Sequence, residues 1–321
     1  MGVCAIVVTF NRRELLLRAL DALAKQTRKP DRILVVDNAS TDGTIEVLEE
    51  RGWSRRKDVQ IVPLPFNSGG AGGFRRGLEL ASKGGWDWFW LMDDDALPAL
   101  DALEKLMEHV DGPDDLYGSI AVHGEQLAWR LHRLDTAGGA KAVDAPGQLP
   151  LRCRVSFLPF LGLLVHARTL KAIGLPEGDF FLAADDVEFC LRARRAGRQV
   201  FAVRDSRVEH PKANARYITL FGAQIQHLIL PPWKRYYDVR NRLVVAKRHH
   251  GSALYYLALP STLFRFLLSM AREPNRSGQA RAYWAGLIDG LLGKLGARHE
   301  IWRLGPPGGH QAPPQKAQSD R

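Results

Sequence analysis

Residues 3–9 read VCAIVVT, apolar at every position until Thr9. A strand with one wet face alternates apolar and polar residues. An unbroken apolar run belongs instead to a strand covered on both faces, as in a parallel sheet. The first hundred residues repeat this theme with helical segments between the strands. Residues 12–25 carry Leu15, Leu16, Ala19, Leu20 and Leu23 at helical spacing. Residues 32–36 form a second apolar strand, ended by Asp37, and Ser40 and Thr41 are placed to cap a helix over 45–50. A third strand is expected at 59–62, a helix at 74–81 and a fourth strand at 86–92. Pro98 suits the first turn of a helix over 100–110. This alternation predicts an α/β fold, a parallel sheet with helices on both faces.

In such sheets, ligands bind outside the carboxyl ends of the strands. Thr9, Asn11, Asp37, Asn38, Asn67 and Asp93 to Asp95 all fall just after predicted strands, so they are expected to converge on one edge. The stretch WLMDDDALP, residues 90–98, is the sharpest of these. Three successive carboxylates repel one another and resist burial. A helix cap at Asp95 accounts for one of them. A divalent cation facing an anionic ligand accounts for all three, since magnesium and manganese take few protein oxygens and share the rest with phosphates.

The loop NSGGAGGF, residues 67–74, follows the third strand and opens a helix. Its small residues, Gly70 among them, let a phosphate or sugar approach backbone N–H groups. It is neither a Walker loop nor a dinucleotide fingerprint. A further acidic run, ADDVE, opens a helix predicted from 185 to 195 with Gly197 as its C-cap. Asp185 and Glu188 are spaced as a capping box. Asp186 is left over, and beside other acids at a pocket rim it suits a general base. Another short strand is expected at 199–203, and His210 is a lone histidine after a strand; an imidazole there would complete a metal shell and favour manganese over magnesium.

Charge is uneven. Residues 1–210 hold 28 Lys/Arg against 30 Asp/Glu, net −2, whereas residues 211–321 hold 17 against 5, net +12. The basic third implies an anionic partner. It reads as mostly helical over 211–303, with a disordered tail at 304–321 rich in Pro, Gly and Gln. Three scattered cysteines, Cys4, Cys153 and Cys190, have no zinc-like spacing and suggest free thiols in a reducing compartment. The N-terminus lacks the basic leader of a signal peptide. Residues 253–271 are apolar but contain Pro260 and Arg265, so no membrane span is expected. The segment is expected to lie at a membrane interface beside Lys234, Arg235, Arg240, Arg242, Lys247 and Arg248, or else to pack on the catalytic domain or form a dimer interface.

The stretches VVTFNR, VVDNASTDGT, NSGGAGGFRRG, WFWLMDDD and ADDVEFCLRARRAG, in that order, resemble the family 2 inverting glycosyltransferases of GT-A fold over residues 3–210. The resemblance implies a mainly parallel, Rossmann-like sheet as catalytic domain, followed by a helical appendage. It implies that Thr9, Asn11 and Asp37 hold a nucleotide, that the Asp-x-Asp at Asp93 and Asp95 binds the metal of a nucleotide-diphospho-sugar, and that Asp186 deprotonates the acceptor. The triple aspartate and the His after the base are similar to galactofuranosyltransferases, in which the position matching His210 is a metal ligand. KRYYDVRNRL at 234–243 resembles a segment shared by those enzymes and related rhamnosyltransferases. An extra N-terminal β-rich domain known in a polymerising member has no counterpart here, so repeated addition is not implied.

The expectation is therefore a cytoplasmic enzyme, peripheral on a membrane face, with Mn2+ or Mg2+ as cofactor. It would take a UDP-sugar, galactofuranose first and dTDP-rhamnose as the alternative. It would act on a glycan or polyprenyl-diphosphate-linked acceptor. Two other classes are weighed against it: a sugar-nucleotide nucleotidyltransferase, whose basic loop TFNRREL supplies poorly, and a non-catalytic carbohydrate- or membrane-binding module, against which the intact acids argue. No nucleic-acid partner is expected, and the C-terminal region offers a surface for a homo-oligomer.

Overall fold

The computed structural model describes residues 1–136, 139–220 and 223–306. The chain opens with β1 (Val3–Thr9), α1 (Arg13–Ala24), β2 (Arg32–Asp37), α2 (Thr44–Glu50), β3 (Val59–Pro63), α3 (Gly69–Ala81), β4 (Trp88–Asp93), β5 (Leu97–Pro98) and α4 (Ala102–Glu108). The middle is richer in strands: β6 (Leu116–His123), β7 (Gln126–Leu127), β8 (Leu131–Leu134), β9 (Ala140–Val143), β10 (Arg152–Arg154) and β11 (Leu163–His166), then α5 (Ala167–Ile173) and α6 (Asp185–Arg195). The last part runs β12 (Val200–Glu209), β13 (Ala215–Leu220), β14 (Ala223–Leu228), α7 (Pro232–His250), α8 (Leu259–Arg272) and α9 (Arg276–Leu292).

The main sheet has the order β10-β12-β6-β11-β4-β1-β2-β3. Strands β4, β1, β2 and β3 are parallel, as the unbroken apolar runs predict. Strand β11 is antiparallel to both β4 and β6, which makes the sheet mixed. One face packs Leu16, Leu20 and Leu23 of α1 and Leu103 and Leu106 of α4 against Val3, Ala5 and Val7. The other packs Phe74 and Leu78 of α3 and Phe189 and Cys190 of α6 against Cys4, Ile6 and Val8. The alternation of Val3, Ala5, Val7 with Cys4, Ile6, Val8 is the two-residue period of a strand with both faces dry. All three cysteines are free and buried.

Four expectations change. Pro98 lies in β5, not in a helix; it pairs with Val208, and α4 begins only at Ala102. The N-cap of α2 is Gly43 at φ 80°, while Ser40 and Thr41 turn back to the β1 loop. The region after 211 is not helical throughout, because β13 and β14 pair as an antiparallel hairpin. Leu304, assigned to a tail, is buried with Tyr236, Tyr237 and Ala282. Residues 307–321 of that tail lie outside the described residues.

Candidate active site

Strand register assembles the site. In β1, Thr9 stands opposite Asp37 of β2, and Val8 stands opposite Asp93 of β4. The side chains that follow are therefore neighbours although they are far apart in sequence. Thr9 Oγ1 donates to Asp94 Oδ2 at 2.8 Å, and Phe10 N donates to the same oxygen at 3.4 Å. Register also brings in His210. Strand β5 runs antiparallel to β12 with Leu97 opposite Glu209. That pairing sets the residue after Glu209 beside the residues before Leu97, and His210 Nε2 lies 3.3 Å from Asp95 Oδ1.

Electrostatics in this corner are unbalanced. Burial pushes the Asp93 carboxyl well above the usual range, and Asp95, Asp94 and Asp185 push it further. Burial raises Asp94 as well, with Arg12 and the Thr9 hydroxyl opposing. Burial acts the same way on Asp95, but His210 and Arg12 outweigh it and hold that carboxyl low. Arg12 bridges the two, its Nη1 3.2 Å from Asp94 Oδ1 and 2.7 Å from Asp95 Oδ2. Lys234, entering from α7, feels Asp95 and Asp93 too, although burial first and then Arg12 lower its pKa. His210 Nδ1 lies 2.7 Å from the Pro211 carbonyl. A carbonyl only accepts, so that nitrogen carries a proton; Nε2 then presents its lone pair to a metal in the neutral ring, or donates to Asp95 in the imidazolium. Among the described residues, no three His, Cys, Asp or Glu side chains close into a metal cage. The donor set, carboxylates plus one imidazole with excess negative charge, fits a divalent cation that draws its other ligands from a phosphate.

The segment before α6 is strained. Phe181, Ala183 and Ala184 have φ of 64°, 69° and 63°, all non-glycine residues in the left-handed half of the map. Such residues persist only where their surroundings hold them. The hold comes from α7. Asn241 Nδ2 lies 3.0 Å from the Phe180 carbonyl and 2.8 Å from those of Leu182 and Ala183. Arg240 Nη2 donates to Phe180 O at 2.7 Å. From the other side, Ala71 N donates to Phe181 O at 3.2 Å. Gly69, at φ 73°, is required there, since a Cβ would sit 2.0 Å from that oxygen. Gly73 likewise lies against Val8, where a Cβ would meet Cγ1 at 2.5 Å. Much of the glycine-rich loop thus serves packing; Gly70, with open space around it, faces the cavity.

Asp185 and Asp186 open α6 beneath this segment, and both line the cavity. Burial raises Asp186 to about 6. Burial and the adjacent Asp186 raise Asp185 to about 7. The expected capping box is absent. The N-cap is Ala184, with no side-chain cap, and Glu188 bonds Arg192 Nη2 at 2.8 Å and His249 Nε2 at 3.1 Å. Glu188 is a buried structural acid behind the site.

The cavity encloses about 1210 Å³, more than the ~300–1,000 Å³ that houses one small ligand. Thr9, Asn67, Gly70, Asp93 to Asp95, Asp185, Asp186 and His210 line it. Asn11 and Asp37 do not. They brace the loop between β2 and α2: Thr41 N donates to Asn11 Oδ1 at 2.7 Å, and Ser40 N to Asp37 Oδ2 at 3.1 Å. Asp37 Oδ1 is buried without a partner among the described residues. Sequence reasoning missed Arg12 and the inner face of α7, whereas Asn38, expected at the sheet edge, does line the cavity. Arg12 follows a strand end as Asn11 does, but it entered the reading only within TFNRREL, as a poor version of a basic phosphate loop. Lys234, Arg235, Arg240 and Arg242 read as a membrane-facing patch, yet Arg235 and Arg240 are fully buried and the other two line the cavity.

A sheet whose strand ends gather a triple aspartate, a histidine and a second acidic pair on one cavity defines a GT-A glycosyltransferase. The mannosyltransferase PcManGT from Pyrobaculum calidifontis, solved with GDP-Man and Mn2+, shares the fold. Its TM-score is 0.55 at 18% identity, covering 91% of this chain and 87% of that one. The family model for glycosyl transferase family 2 matches residues 4–154. The galactofuranosyltransferase GlfT1 of Mycolicibacterium smegmatis is 32% identical over 266 residues, 75% of this chain and 81% of that protein. The dTDP-rhamnosyl transferase RfbF of Shigella flexneri is 22% identical over 301 residues, 92% of this chain and 97% of that protein. The chain belongs to glycosyltransferase family 2 and is a glycosyltransferase.

Proposed function

We propose that the chain moves galactofuranose from UDP-galactofuranose to a hydroxyl of a glycan or lipid-linked glycan, inverting the anomeric carbon, with manganese or magnesium at the donor diphosphate. The observation that carries the reading is the convergence of Asp93, Asp95 and His210 with Asp186 on one cavity. The galactofuranosyltransferase relatives, at 30–32% identity, support the sugar. RfbF, aligned over nearly its whole length, supports dTDP-rhamnose as the second reading.

Asp93, Asp95 and His210 would hold the cation, which supplies positive charge to the leaving diphosphate. Arg12 and Lys234, both within reach of the same carboxylates, add cationic partners for phosphate oxygens. Thr9 orients Asp94 through its hydroxyl. Asp37 and Asn11 shape the loop that frames the nucleotide, with Asp37 Oδ1 left to accept an N–H. Asp186 accepts the acceptor's proton as its oxygen bonds the anomeric carbon and the bond to the diphosphate breaks. A carboxyl raised to about 6 is ionised at neutral pH, yet more basic than an ordinary carboxylate.

The test is UDP release from UDP-galactofuranose in manganese with candidate glycan acceptors, beside dTDP-rhamnose and UDP-hexoses. Turnover of UDP-galactofuranose is expected. Turnover of dTDP-rhamnose alone moves the assignment to the second reading. Neither turnover nor thermal stabilisation by any nucleotide-sugar overturns both.

A further inference from the structure

Past α9, residues 293–304 turn back as a strap onto α7, where Leu304 is buried with Tyr236 and Tyr237. Gly293, at φ 68°, ends the helix. Gly296 N donates to the Asp179 carbonyl at 2.7 Å, and Arg240 Nη1 donates to the Gly296 carbonyl at 2.6 Å. Asp289, fully buried in α9, gathers three donors on Oδ2: Tyr236 Oη at 2.7 Å, Arg298 Nε at 2.9 Å and Trp302 Nε1 at 2.9 Å. Leu304 N donates to the His299 carbonyl at 2.9 Å and closes the turn. An irregular segment is thus fixed in one place by polar bonds at both of its ends.

The strap delivers His299. This residue is 6% exposed, and it lines the cavity beside Phe181 and Trp233. Its Nδ1 lies 2.6 Å from Tyr237 Oη. Burial pushes the Tyr237 phenol up, while Arg240 and the backbone N–H groups of His299 and Arg298 oppose it. A phenol oxygen that already accepts from backbone N–H groups turns its own hydrogen toward the imidazole, so Nδ1 is the acceptor. Held this way, the Tyr237 ring stacks on Phe181 with centroids 4.9 Å and planes 23° apart. The His299 ring lies 5.5 Å from Phe181 as well. Phe181 is the first of the left-handed residues ahead of Asp185 and Asp186. A bulky residue at φ 64° stays there only while its surroundings hold it.

We propose that His299 is a positioning residue of the active site: it holds Phe181 through Tyr237 and so sets the path of the chain into Asp186. Asn241, Arg240 and Ala71 fix the backbone of this segment, and the His299–Tyr237 pair fixes its one large aromatic side chain. The strap is then a working part of the active site, although it lies more than a hundred residues beyond the base in sequence. The competing role is direct contact between His299 Nε2 and a substrate, since the ring lines the cavity. Side-chain chemistry separates the two. An Asn amide can place its oxygen where Nδ1 stands, and a Gln amide reaches where Nε2 stands.

The inference rests on the reading of Asp186 as the base, so turnover is paired with a measurement that does not need it: amide hydrogen exchange over residues 178–188 of the full chain. His299→Ala should speed exchange there at least about tenfold. It should lower kcat for UDP release from UDP-galactofuranose by about 10- to 100-fold, the effect of a small misplacement of a reacting group. UDP affinity in manganese should stay within about threefold, which also certifies folding. His299→Asn should restore slow exchange and most of the turnover, and His299→Gln should restore neither. Tyr237→Phe removes one oxygen and should reproduce the losses of His299→Ala; combining the two should add little, because they break one contact. If His299→Ala fails to bind UDP, Tyr237→Phe and His299→Asn carry the same comparison. Unchanged exchange in His299→Ala and Tyr237→Phe overturns the proposal, as does faster exchange with undiminished turnover. Rescue by Gln and not by Asn also overturns it, by placing Nε2 on the substrate. Near-normal transfer by Asp186→Asn would instead overturn the reading of the base, and the exchange comparison would still decide whether the strap holds Phe181.

Discussion

The side-chain amide of Asn241 donates to the backbone carbonyl of Ala183 at 2.8 Å. Through this bond and its companions to Phe180 and Leu182, a residue of α7 dictates the path of the chain into Asp185 and Asp186. The left-handed residues at 181, 183 and 184 put Asp186 at the cavity in place of a regular helix start. Their strain, of order 1–3 kcal/mol each, is held by bonds from outside the segment. Asn241 is a positioning residue. Asn241→Ala should lower kcat by about 10- to 100-fold, the cost of a small misplacement of a reacting group, with UDP affinity nearly unchanged. In an Asp186→Asn background, the same change should cost far less, because groups that act as a unit are not additive. Full additivity in that cycle would show that Asn241 acts elsewhere.

Asp186→Asn itself should lower transfer by about 10²–10⁴, the usual weight of a general base, with donor binding intact. The same substitution should raise the melting temperature at pH 7.5. The sign follows from linkage. Burial raises the folded carboxyl to about 6, above its unfolded value of about 3.9. Between those values the folded state holds a proton that the unfolded state has lost, so stability falls as pH rises. The stabilising effect of Asn should therefore fade as pH drops from about 6 to about 4, and be absent below that. For the same reason, kcat/KM of the wild type should lose activity on an acid limb near pH 6. Equal melting temperatures at pH 7.5, or an acid limb near pH 4, would contradict a buried, raised carboxyl.

The sheet was legible because its strands carry their burial in their composition. Residues 3–9 and 185–195 show their elements within a residue, since an unbroken apolar run and a helical period need no tertiary information. Asp93 to Asp95 and Asp186 were legible for the opposite reason: acids at those positions have no cheap structural explanation. What stayed hidden depends on register or on distant packing. The two-residue strand β5 is too short for any periodicity, yet its pairing with β12 helps set Asp95 beside His210. Arg235 and Arg240 read as part of a membrane-facing basic patch, and Asn241 carried no signal of its own, because sequence does not display the carbonyls and carboxylates that take them into the core.

Metal dependence can be separated from fold. EDTA should abolish turnover, and manganese should restore it. His210→Ala should weaken activation by manganese more than by magnesium, because imidazole discriminates between these ions and carboxylate does not. Asp95→Ala should weaken UDP binding in manganese and leave Arg12 without its shortest ion pair, 2.7 Å in the native chain. Equal loss of both metals on His210→Ala would remove the histidine from the shell, and unchanged activity in EDTA would remove the metal.

The outer surface of the last helices carries the remaining prediction. Leu254–Arg272 is 19 residues long and apolar enough to cross a bilayer by length and composition. One side of it is committed to the protein, however: Arg265 points into the cavity, Ser269 is buried, and Phe266 packs on Tyr283 at 5.4 Å between ring centroids. The other side exposes Tyr256 (78%), Leu263 (59%) and Leu267 (56%), and α9 adds Trp284. Exposed Lys247, Arg248, Arg272, Arg276 and Arg281 supply positive charge in the same region. An amphipathic element of this kind lies in an interface, where apolar burial adds to about 1 kcal/mol per basic residue on an anionic leaflet. We therefore expect the chain to co-sediment with anionic vesicles, to detach as salt rises, and to bind poorly to neutral ones. Leu263→Ser with Leu267→Ser should reduce binding about a hundredfold or more, at roughly 1.5–3 kcal/mol per leucine buried. Lys247→Gln with Arg248→Gln should weaken binding at low salt and make its loss with rising salt shallower. Donor affinity should be unchanged in both, since none of these side chains lines the cavity. Retention in the supernatant with anionic vesicles at low salt would exclude the bilayer; a concentration-dependent dimer that the leucine substitutions dissolve would assign the same face to a second copy of the chain.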